Sequence, residues 1–354
     1  MDSQFLSCAR RGFREQLSLL DLKLSDFTPS NYLRMHQLRV TLKFATPAIL
    51  VGFDQATAEL RVPSLLGMIR QWWRARNYHV GGWQHLEAKI FGAAAGGEGD
   101  NADPSKPAEA GGQSVFSAVL TPATSISPQT LDQVFRSSSP ERKLLGPRKQ
   151  SGVLASGSSF VVTFYFRAAH AEYAPQIARA TELWGLVGGV GTGQRRGFGS
   201  VVVDALAGDS AWTAPATASA VADRIRFLLP PDEAKAAAPA DFVTLGPQAR
   251  IWTKEIQGDA AAALRAYAEL TARFASGSRL AASDVFSEQS LLRTRLPSPL
   301  HVHVHPLGDT SLLVMSLLPT RQDVEHQPAA IARIETFVRE IDAIPLHPEL
   351  TPRG

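Results

Sequence analysis

Gln37–Ala45 (QLRVTLKFA) alternates polar and apolar side chains and puts Leu38, Val40, Leu42 and Phe44 on one side. A period of two predicts a strand with one buried face, and Thr46-Pro47 ends it. From Leu65 to about Tyr78 the period becomes helical. Leu65, Leu66, Ile69, Trp72 and Trp73 share a broad apolar side at roughly 100° per residue, and Ser64 after Pro63 is the expected N-cap. Gln113–Leu120 alternates again, and Phe160–Phe166 (FVVTFYF) reads as a buried strand. Tyr173–Val187 is a second helical run, and a β-branched strand follows at Ser200–Leu206. Residues 36–206 therefore take the order β-α-β-β-α-β, that of a ferredoxin-like domain. Residues 1–35 read as a leader, helical near Phe13–Leu22, and the Ala-, Gly-, Asp- and Pro-rich segment 93–112 reads as a mobile surface insertion.

The Ala- and Thr-rich stretch 207–222 reads as a linker. Beyond it, strands are expected at Arg224–Leu229, Asp241–Leu245, Leu291–Leu296, Leu300–Pro306 and Ser311–Leu317. Helices are expected at Asp259–Ala275 and Ala329–Ile341. The predicted fold class is α+β: two tandem ferredoxin-like (RRM-like) domains, 36–206 and 223–354, the second degenerate.

Composition narrows the functional classes. With 354 residues and 44% apolar content, the chain can bury the cores of about two domains. No apolar run approaches the roughly 18 residues of a membrane span, so no membrane partner is expected. Cys8 alone leaves no internal disulfide and fits a reducing, cytoplasmic setting. The net charge of +3 and pI of about 9.1 are too weak a bias to identify a nucleic-acid partner, so local clustering must decide.

That clustering is found in two places. After the helix ending at Val187, Gly188, Gly189, Gly191, Gly193 and Gly197 follow in quick succession, with Arg195 and Arg196 among them. Successive backbone N–H groups in a glycine turn can cradle an anion, and guanidiniums suit bidentate phosphate contacts. A dinucleotide fingerprint would need G-x-G-x-x-G between strand and helix, and a Walker loop would need Gly-Lys-Ser/Thr. Here the order is helix, loop, strand, and Gln194-Arg195 follows Gly193, so both fail. A helix C-cap with a tight turn is the plainer alternative. The second cluster is Arg70 and Arg74, four apart on the first helix, with no acidic residue between Arg61 and Arg76 to pair them. Trp73, on their edge of the apolar side, could serve as core anchor and base-stacking platform at once.

Other signals are weaker. Arg142, Lys143, Arg148 and Lys149 form a basic loop that reads as a solvated or RNA-facing surface. His301, His303 and His305 alternate on one face of a strand; with no cysteine nearby and Asp309 as the close carboxylate, a solvated or RNA-facing strand outweighs a zinc site. No Ser/His/Asp or paired-carboxylate spacing stands out. The sequence therefore assigns no catalytic residue, no metal ligand and no cofactor.

Glu59–Ala75, E-L-R-x-P-S-L-x-G-x-I-R-x-W-W-R-A, then Glu87–Gly92, E-x-x-I-F-G, resemble the RAMP proteins of CRISPR effector complexes. Gly188–Val201 resembles their glycine-rich loop, and Arg293–Leu300 (RTRLPSPL) is similar to a patch in the second half of the first-subunit family of the Cmr (type III-B) complex. Met68, Gln71 and the Gly-Thr-Gly-Gln preceding Arg195 depart from the usual pattern. The resemblance implies a non-catalytic RNA-binding subunit that caps the filament at the 3′ part of the guide RNA. Guide RNA, target RNA and other RAMP subunits are then the expected partners. The expected contacts are Arg70, Trp73, Arg74, Gly189, Gly191, Gly193, Arg195, Arg196 and Gly197. A RAMP-type metal-independent endoribonuclease and a protein–protein scaffold are the alternatives.

Overall fold

The computed structural model describes residues 35–52, 57–93, 112–124, 129–146, 152–207, 212–230, 240–277, 280–287 and 297–346. The expected leader, the body of the 93–112 insertion, Arg148, Lys149 and the expected strand at Leu291–Leu296 lie outside the described residues.

The first half forms as its periodicity demands. Strand β1 (His36–Phe44) is followed by helix α1 (Val62–Asn77), helix α2 (Trp83–Phe91), strands β2 (Phe116–Pro122) and β3 (Ser159–Phe166), helix α3 (Ala174–Val187) and strand β4 (Val201–Ala207). The strands make one antiparallel sheet in the order β2-β3-β1-β4. Leu38, Val40 and Leu42 of β1 and Val162, Phe164 and Phe166 of β3 pack beneath α1 and α3, joined by the fully buried Trp72, Trp73 and Trp184. Helix α1 starts with Pro63 in its first turn and has no side-chain cap, so Ser64 is not its N-cap; that position falls to Arg61. A small sheet of Ala48–Ile49, Gly152–Leu154 and Gln129–Thr130 extends this half toward the second.

The second half departs from expectation at its start. The strand expected at Arg224–Leu229 is helix α4 (Ala218–Leu228), capped by the Thr217 hydroxyl on Ala220 N–H. The alternation in Arg224–Leu229 is a fragment of a longer helical pattern, for Val221, Ala222, Ile225 and Leu228 all enter the first core. The expected linker thus ends in ordered helix. Asp241–Leu245 is not a strand either; it runs as irregular chain, tied to α1 by Leu245 N–H on Ala75 O at 3.0 Å. The strand that periodicity did not reveal is β5 (Arg250–Gln257), where Lys254 interrupts the side of Trp252 and Ile256 and Glu255 that of Ile251 and Thr253.

From β5 the second half continues through helix α5 (Ala260–Ser276), strands β6 (Leu300–Pro306) and β7 (Thr310–Leu317), helix α6 (Pro328–Glu340) and the two-residue strand β8 (Ile344–Pro345). Its antiparallel sheet has the order β8-β5-β7-β6, which matches the first strand for strand. Leu313, Met315 and Leu317 of β7 face α5 and α6, whereas Leu312 and Val314 join the first core. The second sheet is therefore packed on both faces.

Candidate functional site

The basic flank of α1 does have an acid partner, contrary to the expectation from its own sequence. Glu87 reaches it from α2 with a side chain only 4% exposed, and it accepts from both Arg70 and Arg74. Arg74 is bidentate, with Nε on Oε2 at 2.8 Å and Nη2 on Oε1 at 2.5 Å; Arg70 donates its Nε–H to Oε1. Burial pushes the Glu87 carboxyl up, but the bonds from Arg74 and then Arg70 outweigh it and hold it below the ordinary carboxylate range. The Glu87 bond raises the Arg74 guanidinium in turn, against desolvation. Arg74 also lies 5.2 Å from the Phe242 ring centroid and 6.0 Å from that of Trp83, which pack together at 5.1 Å.

These side chains wall a cavity of about 420 Å³ between the two halves. Gly67, Arg70, Gln71 and Arg74 come from α1, and Arg195 comes from the glycine loop. Asp241, Phe242, Pro297, Thr320, Gln322 and Asp323 come from the second half. Arg195 is half-buried there and donates to Ser298 O at 2.6 Å. Burial lowers its pKa from the ordinary arginine value, with the Asp323 carboxylate working against that shift. The Asp323 side chain meanwhile caps the short helix Arg321–His326 by accepting from Thr320 N–H.

The glycine loop is a joint between the sheets. Several of its N–H groups end on protein acceptors: Val190 on Gly199 O, Thr192 on Ile49 O and Gly199 on Pro47 O, each at 2.9 Å, and Ser200 on the Thr46 hydroxyl at 3.0 Å. Gly197 has φ +83°, and a Cβ there would lie 3.1 Å from Leu264 of α5. At Gly199, φ +62°, a Cβ would run into Val190 O. Glycine is needed here because two backbones and the second half close on one turn.

A model of the RAMP superfamily matches residues 41–202. Over this stretch the chain is similar to the RAMP superfamily. The match ends at Val202 in β4, just beyond the glycine loop. No curated protein matches. Among solved structures, the apo form of Cmr1 from Pyrococcus furiosus is similar, with TM-score 0.59, 15% identity, and coverage of 88% of this chain and 99% of that one. A chain of the type III-B Cmr-beta complex bound to cognate target RNA is similar at TM-score 0.51 and 11% identity, covering 86% of this chain and 100% of that one. At such identities the likeness is one of fold, and it extends through the stretch matched by the RAMP model into the second half.

Of the residues expected to touch RNA, the fold gathers Arg70, Arg74 and Arg195 on one cavity. It places the others elsewhere. Trp73 is wholly buried, with its indole N–H on Gln176 Oε1 at 3.1 Å and its ring against Phe91, so it is a core anchor and no base can stack on it. Arg196 turns the opposite way and donates to Leu144 O at 2.8 Å. Gly189 is buried, and its carbonyl accepts from Trp184 Nε1–H; Gly191 and Gly193 bend the turn, and Gly197 faces α5. These four glycines shape the joint. Phe242 and Gln322, which complete the cavity, carried no signal because nothing local ties them to α1; Glu87 did, through the E-x-x-I-F-G segment.

The histidine row is neither solvated nor surface-facing. His301, His303 and His305 are all buried under the glycine loop, and the described residues contain no group of three metal-ligating side chains. His303 Nδ1–H donates to Gly188 O at 2.6 Å, and His301 meets the Trp72 ring edge-on at 6.1 Å. Burial pushes His303 down to about 3, helped by His305 and opposed by the Gly188 bond. Burial likewise takes His305 to about 4 and, with Arg195, holds His301 well below its ordinary value. They are neutral packing groups of the joint. Among the described residues no helix is long and apolar enough to cross a membrane.

Proposed function

We propose that this chain is a cytoplasmic, non-catalytic RNA-binding subunit of a type III-B CRISPR (Cmr) effector complex. In this reading it caps the filament at the 3′ part of the guide RNA and touches guide and target RNA beside other RAMP subunits. Its two β-α-β-β-α-β units are tandem ferredoxin-like domains, the first keeping α4 and the second starting at β5. The observation that carries the proposal is the cavity where Arg70 and Arg74 of one unit meet Arg195 at the joint, walled on the other side by Phe242 and Gln322. The fold likeness to Cmr1 and to a chain of an RNA-bound Cmr complex supports it. Cations that contact phosphates bind without regard to sequence and release counterions, so affinity should fall steeply with salt.

Purification of the tagged protein from its native cells tests the setting. Short RNAs of discrete length together with other RAMP subunits are expected; a bare chain without RNA would refute the proposal. Replacing Arg70 and Arg74 alone would strand the buried Glu87, so the site test is Arg70→Gln, Arg74→Gln and Glu87→Gln together. This variant should bind RNA more weakly and with a flatter salt dependence. Site-specific cutting of repeat RNA by the isolated chain in EDTA would instead make it an endoribonuclease.

A further inference from the structure

The two sheets differ in what covers them. The second is packed on both faces, whereas among the described residues helices cover one face of the first, and its other face is covered at the Lys43 end, where Val202 joins the second core. On the other face of the first sheet, Arg39 and Lys43 of β1 and Ser117, Val119 and Thr121 of β2 are exposed. Between them β3 presents Val161, Thr163 and Tyr165, each partly exposed. The register sets Tyr165 opposite Gln37 and Thr163 opposite Arg39.

This face has a definite chemistry. Tyr165 stands on an inner strand with Gln37 and Ser117 as its row neighbours, and it stays partly exposed. Arg39 and Lys43 are four residues apart on the adjoining strand, about 13 Å along it. Neither forms an ion pair with another described residue. Among the described residues, Asp204 is the acid of β4, exposed where that strand slips its register against Thr41 and Leu42. A protein-docking face would carry an apolar centre depleted of charge. Here hydroxyl and amide groups, with Val119 exposed among them, surround one aromatic ring, and two cations without an ion pair among the described residues lie alongside.

We propose that the open face of the first sheet is a binding platform for single-stranded RNA, with a base stacked on Tyr165 and phosphates held by Arg39 and Lys43. Stacking on an aromatic ring accepts any base, and the two cations follow the backbone along β1. The proposal rests on the reading that the chain binds RNA, but it uses no residue of the cavity.

The test is titration of the full chain with fluorescein-labelled oligouridine at several salt concentrations, joined by crosslinking to a 4-thiouridine oligomer. Tyr165→Ala should weaken binding roughly fivefold to a hundredfold, and Tyr165→Phe, which keeps the ring, should bind nearly as wild type. Arg39→Ala with Lys43→Ala, which leaves every core side chain in place, should lower the slope of log K against log salt by about 1.4, at roughly 0.7 per lost phosphate contact. Crosslinks should map to β1 or β3. Unchanged affinity and slope in both sets, with weaker binding by the Arg70/Arg74/Glu87 variant, would overturn the platform and leave the RNA-binding reading standing. A wild-type chain that binds no oligouridine would overturn both. Loss of a protein partner with RNA affinity intact would assign the face to protein instead.

Discussion

Glu87→Gln separates the structural from the functional role of the α1 arginines. The native carboxylate accepts from Arg70 Nε, Arg74 Nε and Arg74 Nη2 while its side chain is 4% exposed. Hydrogen bonds to a charged group contribute about 1.5–3 kcal/mol each. The two arginine side chains are 36% and 32% exposed, so water screens part of this and the lower end applies. Glutamine keeps one carbonyl oxygen and the volume, and loses the charge and the second acceptor. The net cost is about 2–3 kcal/mol, or roughly 5–10 °C in Tm for a unit of this size. The same change leaves two guanidiniums without their counter-charge at the cavity wall, so RNA binding at low salt should tighten. Calorimetry reads the first effect, and titration well below the transition reads the second. An unchanged Tm would refute the assignment of Glu87 as the anchor of α1. A folded variant with equal or weaker RNA affinity would refute the phosphate role of Arg70 and Arg74.

Acid should destabilise the joint. His303, at about 3 in the folded state, and His305, at about 4, take up protons on unfolding once the pH falls below about 6.5. Their contribution is complete above that value and is lost as pH falls toward the folded values; Glu87, also depressed, adds a loss at lower pH. Denaturation midpoints measured from pH 7 to pH 4 should fall, and more shallowly in His303→Asn, which keeps a donor for Gly188; a parallel decline in the variant would show that His303 plays no part. Trp73→Ala should cost about 3–5 kcal/mol as a buried aromatic deletion, whereas a denaturation curve shifted by less than about 1 kcal/mol would mean that the indole is on the surface. Gly197→Ala should cost about 1–3 kcal/mol for the left-handed backbone and the approach to Leu264, read as a lower Tm; an unchanged Tm would mean that the loop does not bear on α5.

Sequence alone determined the elements whose period is uninterrupted. β1, α1 and β3 bury one regular face each, and a buried face fixes both the pattern and the register. The same logic failed where a short window fits two periods, as at Arg224–Leu229, and where charges interrupt an apolar side, as in β5. The glycine loop was legible as a special turn, and its reason was not. Glycine permits close approach to anything, and only the packed chain shows that the approaching groups are Leu264 and the Val190 and Ile49 carbonyls. Arg70 and Arg74 were legible as neighbours on one flank of a helix. Their pairing with Glu87, the burial of Trp73 beside them, and the opposite aims of Arg195 and Arg196 were decided by contacts between residues far apart in the chain. Periodicity reports which side of an element is buried; what it is buried against is a property of the tertiary fold.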